Sequence, residues 1–259
     1  MPDIARPLAK KALGQHFLND PQAIRRIVEA VPSGARVMEI GPGLGALTEP
    51  LLKHVSRLAV IEKDRRFAEQ WQQRAKEVPK LLVEQGDVLT EEDKLIGRFQ
   101  PEWIVGNLPY NISGPLMAKL AATPLAGGMV LMFQREVAER ILAKPFNKTY
   151  GRLSVLVRHH YDVKRLLKLP PGAFAPPPQV HSAVVVLTAH GRRPPCTFDA
   201  LQEAVRQGFA HRRKTIANNF RGVLTGADWM EMVIDPDSRP ERLDYMAWTR
   251  IAKRLQPVL

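Results

Sequence analysis

The residues of this chain best suited to chemistry fall at the ends of short apolar runs. In "EIGPGLGALT", residues 39–48, Gly41, Gly43 and Gly45 alternate, so the backbone can turn tightly out of an extended segment and approach a ligand where a Cβ would collide. The G-x-G-x-G spacing differs from the G-x-G-x-x-G of dinucleotide sites, which brings a pyrophosphate to a helix N-terminus. Three glycines alone also describe an ordinary strand-to-helix turn. Glu62 in "VIEKD" stands where a carboxylate accepts hydrogen bonds from both ribose hydroxyls, and Asp87 in "QGDV" where one accepts from the exocyclic amine of an adenine ring. Either acid by itself also reads as a solvated or capping residue. Jointly, on three successive strand ends, the set suits an adenosine that carries no pyrophosphate, and S-adenosylmethionine is such a molecule. A further run ends in "NLPY", where Asn107, Leu108, Pro109 and Tyr110 set an amide, a proline with fixed φ and a phenol beside the same pocket. A proline-containing turn with a partly buried tyrosine is the plainer reading of those four.

The elements that must position these groups are legible as apolar runs bounded by turn residues. "RVMEI", "RLAVIE", "LLVEQGD", "WIVGNL", "GMVLMFQ" and "SAVVVLTA" read as strands, and helical stretches such as "ALTEPLLKHV", "RRFAEQWQQRAKE", "GPLMAKLAA" and "REVAERILA" separate most of them. This alternation predicts an α/β fold with a mostly parallel sheet and helices on both faces. Continuous Val/Ile/Leu character agrees with strands buried on both sides. After Ala189 the turn-rich "HGRRPP" intervenes, and from Phe198 onward only helical periodicity appears. The expected division is therefore 1–189 and a small helical domain at 190–259.

Length and charge narrow the function classes. A chain of 259 residues can bury a sizeable core. Its 38 basic and 26 acidic residues give a net charge of +12, which points to a polyanionic partner, nucleic acid first. No run approaches the length of a membrane-spanning helix and no signal-peptide pattern opens the chain, so the protein reads as soluble and intracellular. The single Cys196 excludes an internal disulfide and a cysteine-based zinc cluster, and the seven scattered histidines show no ligand spacing, so no metal is indicated. The charge is uneven: from Arg135 to Lys168 nine basic side chains face three acidic ones, and "HRRK" at 211–214 adds more. Any one such run can be a solvated helix face; with the global excess, the reading moves toward a phosphate-binding surface.

"KKALGQHFLND" at 10–20, "EIGPGLGALTEPL", "VIEKD", "GDV", "VGNLPYNIS", "YGRLSVL", "FAPPPQVHSAVV" and "RRKTI" occur in this order, and over nearly the whole chain they resemble the ribosomal RNA adenine dimethyltransferases, most closely those of the bacterial small subunit. Departures are few: Ala12 and Leu13 stand where a basic-Phe pair is commoner, and Gly114 stands where Thr is commoner, which would loosen the start of the following helix. The resemblance implies a Rossmann-like class I S-adenosylmethionine-dependent methyltransferase domain followed by a small all-helical domain that binds rRNA and the subunit. It implies that N6 of two adjacent adenosines in the 3′-terminal hairpin loop of 16S rRNA each receive two methyls during subunit assembly, by a cytoplasmic enzyme expected to be monomeric and without membrane contact. Adenine N6 is a poor nucleophile because its lone pair is delocalised into the ring. The Asn107 side-chain oxygen and the Leu108 carbonyl would each accept one amino N–H and localise that pair, Pro109 would shape the turn, and Tyr110 would stack on the base.

By the same resemblance Phe174, in a loop stiffened by Pro176, Pro177 and Pro178, is the second wall of the base pocket; the alternative is a core phenylalanine anchoring that loop. His16 and Leu18 are assigned to the cofactor's methionine end on resemblance alone. Glu39 either contacts the methionine amine through water or caps the glycine turn. Arg212, Arg213, Lys214, Arg135, Arg140, Lys144 and Lys148 are the residues expected at phosphates. Two other functions fit parts of the pattern, a large-subunit 23S rRNA adenine methyltransferase of the Erm type and a non-enzymatic rRNA-binding assembly factor of the same fold. Intact Asn107, Pro109, Tyr110, Glu62 and Asp87 speak against the latter.

Overall fold

The computed structural model describes residues 15–256. The stretch 10–14, with Ala12 and Leu13, lies outside the described residues. Two compact units share the chain: one comprises residues up to Leu116, Leu125–Ala138 and Lys164–Ala189, the other Met117–Pro124, Glu139–Val163 and His190 onward.

The first unit is built on a sheet. Its strands are β2 (Arg36–Ile40), β3 (Arg57–Glu62), β4 (Leu81–Gln85), β5 (Trp103–Asn107), β6 (Gly128–Gln134), β7 (Tyr161–Leu169, which begins in the other unit) and β9 (Ser182–Ala189), in the order β4-β3-β2-β5-β6-β9-β7. β4 to β6 pair in parallel, and β9 runs antiparallel to β6. All six strands expected from sequence are present. The seventh, "YDVKRLLKL", was not foreseen, because Lys164, Arg165 and Lys168 interrupt its apolar pattern. It lies at the sheet's edge, where charged side chains are ordinary.

From β2 the chain moves outward through β3 and β4, then returns to lay β5 against the other side of β2, with Ile40 opposite both Ile61 and Gly106. That reversal of strand order opens a crevice beyond the carboxyl ends of β2 and β5. Gly106 permits the close pairing, since a Cβ there would sit 3.0 Å from the Ile40 carbonyl oxygen.

The helices of this unit are α1 (Pro21–Glu29), α2 (Thr48–His54), α3 (Arg65–Ala75), α4 (Val88–Phe99) and the starts of α5 (Ser113–Leu120) and α6 (Arg135–Leu142). α5 forms from Ser113 with Gly114 in its first turn. Acids at strand ends start the next helix: Asp64 accepts from the backbone N–H of Arg66 to cap α3, and Asp87 from that of Leu89 to cap α4. Val37, Leu51, Leu58, Val60, Phe67 and Val105, each at most 1% exposed, hold helices to sheet. A two-stranded ladder, β1 (Phe17–Leu18) with β8 (Phe174–Ala175), ties the N-terminal segment to the proline-rich loop.

The second unit is helical: α7 (Arg152–Leu156), α8 (Phe198–Gly208), α9 (Ile216–Asn219), α10 (Gly226–Glu231) and α11 (Tyr245–Leu255). Thr197, Thr215, Thr225 and Asp244 cap α8 to α11 through their side chains. The fully buried Trp248 of α11 stacks on Phe209 at 5.0 Å and packs over Gly208, where a Cβ would collide with the indole.

Candidate functional site

An open cleft of ≈ 760 Å³, solvent-facing space included, lies at the carboxyl ends of β2, β3, β4 and β5. It brings together His16, Gly41, Gly43, Glu62, Asp87, Asn107, Leu108, Pro109 and Tyr110. Gln15, Phe17, Lys63, Val88 and Ile112 also line it and were not foreseen. Their signal was available only as proximity in sequence to residues already singled out.

The glycines divide by role. Gly41 has a φ of +69° and nothing within 4 Å of where a Cβ would stand, so its open side belongs to the cleft. Gly45, at φ +89°, is not part of the lining; a Cβ there would sit 2.6 Å from the Trp71 ring. Trp71 also donates its indole N–H to the Gly43 carbonyl at 2.9 Å. The third glycine therefore serves packing of α3 against the turn, and Trp71 is a supporting residue that sequence reasoning missed.

Glu62 is 6% exposed and braces the same turn, accepting from Gly43 N at 3.1 Å and from Asp64 N at 2.8 Å. Burial raises its pKa, and those two N–H donors oppose the rise. Each carboxylate oxygen keeps acceptor capacity for a ribose hydroxyl. Asp87 accepts from Leu89 N at 3.0 Å through one oxygen and meets the Lys63 ammonium at 2.6 Å through the other, which holds its carboxyl below the usual range. A donor thus already faces the oxygen expected to receive an adenine amine.

Glu39, in β2, is 2% exposed and absent from the lining. Burial above all pushes its carboxyl up to about 8, the Glu62 charge adds to the rise and the Thr48 hydroxyl opposes it. Neither Glu39 Oε2 nor Thr48 Oγ1 has a hydrogen-bond partner of normal geometry. Glu39 makes no observed cap of the glycine turn; Glu62 braces it instead. An unpartnered buried carboxyl oxygen beneath a glycine turn with open space at Gly41 fits a cofactor bearing an ammonium and a ribose.

The "NLPY" turn is held from several sides. Asn107 Nδ2 donates to the His16 carbonyl at 2.7 Å. Since that carbonyl only accepts, the amide orientation is fixed and Oδ1 is the acceptor left for a ligand. Ile112 N donates to the Pro109 carbonyl at 3.1 Å and Ser113 Oγ to the Tyr110 carbonyl at 3.2 Å. The Tyr110 hydroxyl lies 2.6 Å from Ser182 Oγ, and burial raises its pKa. The His16 imidazole stacks on the Tyr110 ring, with centroids 5.4 Å apart and planes 26° from parallel, and its Nδ1 lies 2.8 Å from the Pro176 carbonyl.

Besides Gly45 and Glu39, two more expected residues lie outside the lining. Phe174 is 4% exposed, belongs to the hydrophobic core and does not line the cleft. Its place in β8 opposite Leu18 turns it inward, so the alternative reading, a core anchor for the proline loop, is the one observed. Leu18, at 5% exposed, is likewise a core residue.

Of the residues expected at phosphates, Arg135, Arg140, Lys144, Lys148, Arg213 and Lys214 are exposed. Arg212 is exposed as well, and its Nη2 donates to the carbonyls of Lys148, at 3.0 Å, and Tyr150, at 2.8 Å. Among the described residues no cluster of potential metal ligands occurs, and no helix is long and apolar enough to cross a membrane.

A family model described as ribosomal RNA adenine dimethylase matches residues 7–257. The chain is 42% identical over 258 residues to the ribosomal RNA small subunit methyltransferase A of Laribacter hongkongensis, covering 97% of each chain. Among solved structures it is similar to a dimethyladenosine transferase from Plasmodium falciparum, with a TM-score of 0.80 and 27% identity over 91% of this chain and 96% of that one. A 23S rRNA methyltransferase, ErmE, shares the fold at a TM-score of 0.67 and 22% identity over 92% of this chain and 99% of that one. A glycine turn braced by a buried acid, an amide fixed to accept, and a family match along almost all of the sequence lead to one conclusion: this chain belongs to the ribosomal RNA adenine dimethylases, S-adenosylmethionine-dependent enzymes of the class I methyltransferase fold.

Proposed function

We propose that this protein dimethylates N6 of two adjacent adenosines in the 3′-terminal hairpin loop of 16S rRNA, in the cytoplasm, on the assembling small subunit. The small-subunit name of its relative supports that substrate over the large-subunit one, since likeness to the 23S enzyme extends only to fold. The protein acts as a monomer. The unit built on the sheet carries the chemistry, and the helical unit, which takes residues 139–163 as well as those from His190 onward rather than the expected 190–259 alone, binds rRNA. Exposed Arg213 and Lys214 of that unit are joined by its Lys144, Lys148 and Arg140, and by Arg135 of the sheet unit, at phosphates.

Bound S-adenosylmethionine supplies an electrophilic methyl carbon on a sulfonium. In this reading Glu62 accepts from both ribose hydroxyls, and Asp87 takes the adenine amine in place of, or beside, Lys63. Gly41 and Gly43 let the backbone approach, His16 lines the methionine end, and Glu39 takes the methionine ammonium through a water. Arrival of the target base displaces the His16 imidazole from Tyr110, whose ring then stacks on the adenine, an interaction worth roughly 1 to 3 kcal/mol. In the first transfer Asn107 Oδ1 and the Leu108 carbonyl each accept a hydrogen bond from one N6 N–H and draw the nitrogen toward tetrahedral geometry; in the second, the one N–H that remains is held by one of these two acceptors. The nitrogen lone pair then aims at the methyl carbon. Positioning carries most of the acceleration, and attack itself needs no general base: as the N6–C bond would form the C–S bond would break, its electron pair leaving with the sulfur as a neutral thioether, and the methylated nitrogen would then release one proton to water. Phe174 acts only as anchor of the loop whose Pro176 carbonyl holds His16.

The observation that carries this reading is the Asn107 amide, fixed with its nitrogen on His16 and its oxygen free. Asn107→Ala should leave the affinity for S-adenosylmethionine within about threefold and lower transfer about 100-fold or more, the scale of losing one preorganised polar group. Transfer at close to the normal rate by Asn107→Ala would sink it.

A further inference from the structure

Residues 144–150 form a loop that methyl transfer as described does not use. In it Phe146 has a φ of +69°, a left-handed backbone that glycine or asparagine adopts with least strain. Its ring is nevertheless 77% exposed. The loop is firmly tied: Phe146 N donates to the Glu241 carbonyl at 2.8 Å and Tyr150 N to the Asn147 carbonyl at 3.0 Å. Arg212 reaches the carbonyls of Lys148 and Tyr150 from below. Exposed Lys144 and Lys148 flank the ring by two residues on either side.

A single exposed apolar side chain needs no explanation. One held in a strained backbone by anchors on both sides, with an exposed lysine two residues away in each direction along the chain, does need one, since an asparagine there would be easier to fold and more soluble. An open aromatic ring on a loop that also carries two exposed lysines is the chemistry that takes an unpaired base and its phosphates. An apolar protein partner would be poorly served by the same lysines.

We propose that Phe146, which is not part of the cleft lining, is a stacking platform for an unpaired base of the ribosomal RNA, with Lys144 and Lys148 on the flanking phosphates. The inference rests on rRNA being the substrate. Its test compares Phe146→Asn, which relieves the backbone and removes the ring, with Phe146→Trp, which keeps a stacking face. Phe146→Asn should melt at the same or a higher temperature, bind S-adenosylmethionine as before, and bind undermethylated small subunits about tenfold more weakly, while Phe146→Trp stays within about twofold. Ultraviolet cross-linking followed by peptide mapping should join the Phe146 peptide to an RNA base. Unchanged subunit binding by Phe146→Asn overturns the proposal, as does a cross-link to a ribosomal protein only. Failure of the unsubstituted chain to bind subunits at all overturns the functional reading instead, and this inference with it.

Discussion

At the scale of single residues, the site is a set of polar groups whose partners are already half assigned. Asp87 lines the cleft at the strand end where the sequence places it, and it also caps α4, the other duty its position allows. The helix it caps was not legible, because "VLTEEDKLIGRF" buries Val88, Glu92 and Leu95 in a mostly polar stretch that gives little helical signal. Phe174 misled for a related reason: a Phe before a proline run reads the same whether its ring faces a cleft or the core, and only pairing of β8 with β1 decides.

Glu39 makes a prediction of its own. Its folded-state carboxyl lies at about 8 against an ordinary 4.5, so below pH 4.5 it is neutral in both states and costs nothing. As pH rises toward 8 the unfolded chain ionises while the fold holds the proton, and stability falls. In cofactor-free protein, Glu39→Gln should remove that share of the decline, so its advantage over the parent chain should grow as pH rises from 5 toward 8. Denaturant unfolding at several pH values checks this; parallel curves would contradict it.

At the scale of elements, alternating strands and helices were readable because buried parallel strands are nearly continuous apolar runs. The edge strand β7 and the short ladder of β1 with β8 were not, since one carries a row of cations and the other holds two residues per strand. The glycine turn was readable as a turn, but not which glycine meets a ligand and which meets Trp71, a residue in the following helix. The two substitutions should separate. Gly45→Ala meets both a left-handed backbone and the indole, and should destabilise the fold by about 2 to 4 kcal/mol. Gly41→Ala meets only the backbone conformation, and should cost about 1 kcal/mol while weakening cofactor binding about tenfold or more. Thermal unfolding alongside cofactor titration distinguishes them; equal stability losses would show that Trp71 does not set the third glycine.

At the scale of the whole molecule, the net charge of +12 announced a polyanion without saying which cations touch it. Arg212 is the instructive case, since as part of "HRRK" it reads as a phosphate ligand and the structure shows it also holding a loop through one guanidinium nitrogen. Charge reversal of Arg213 and Lys214 should therefore weaken subunit binding and reduce its log–log salt slope by about 0.9 for each phosphate no longer neutralised, with cofactor affinity unchanged. An unaltered slope would place the rRNA elsewhere.

The most direct measurement incubates the protein with methyl-labelled S-adenosylmethionine and undermethylated small subunits, then maps the modified nucleotides. Label on N6 of two neighbouring adenosines near the 3′ end of 16S rRNA, two methyls on each, is the predicted result; label confined to other nucleotides, or none at all, would contradict it.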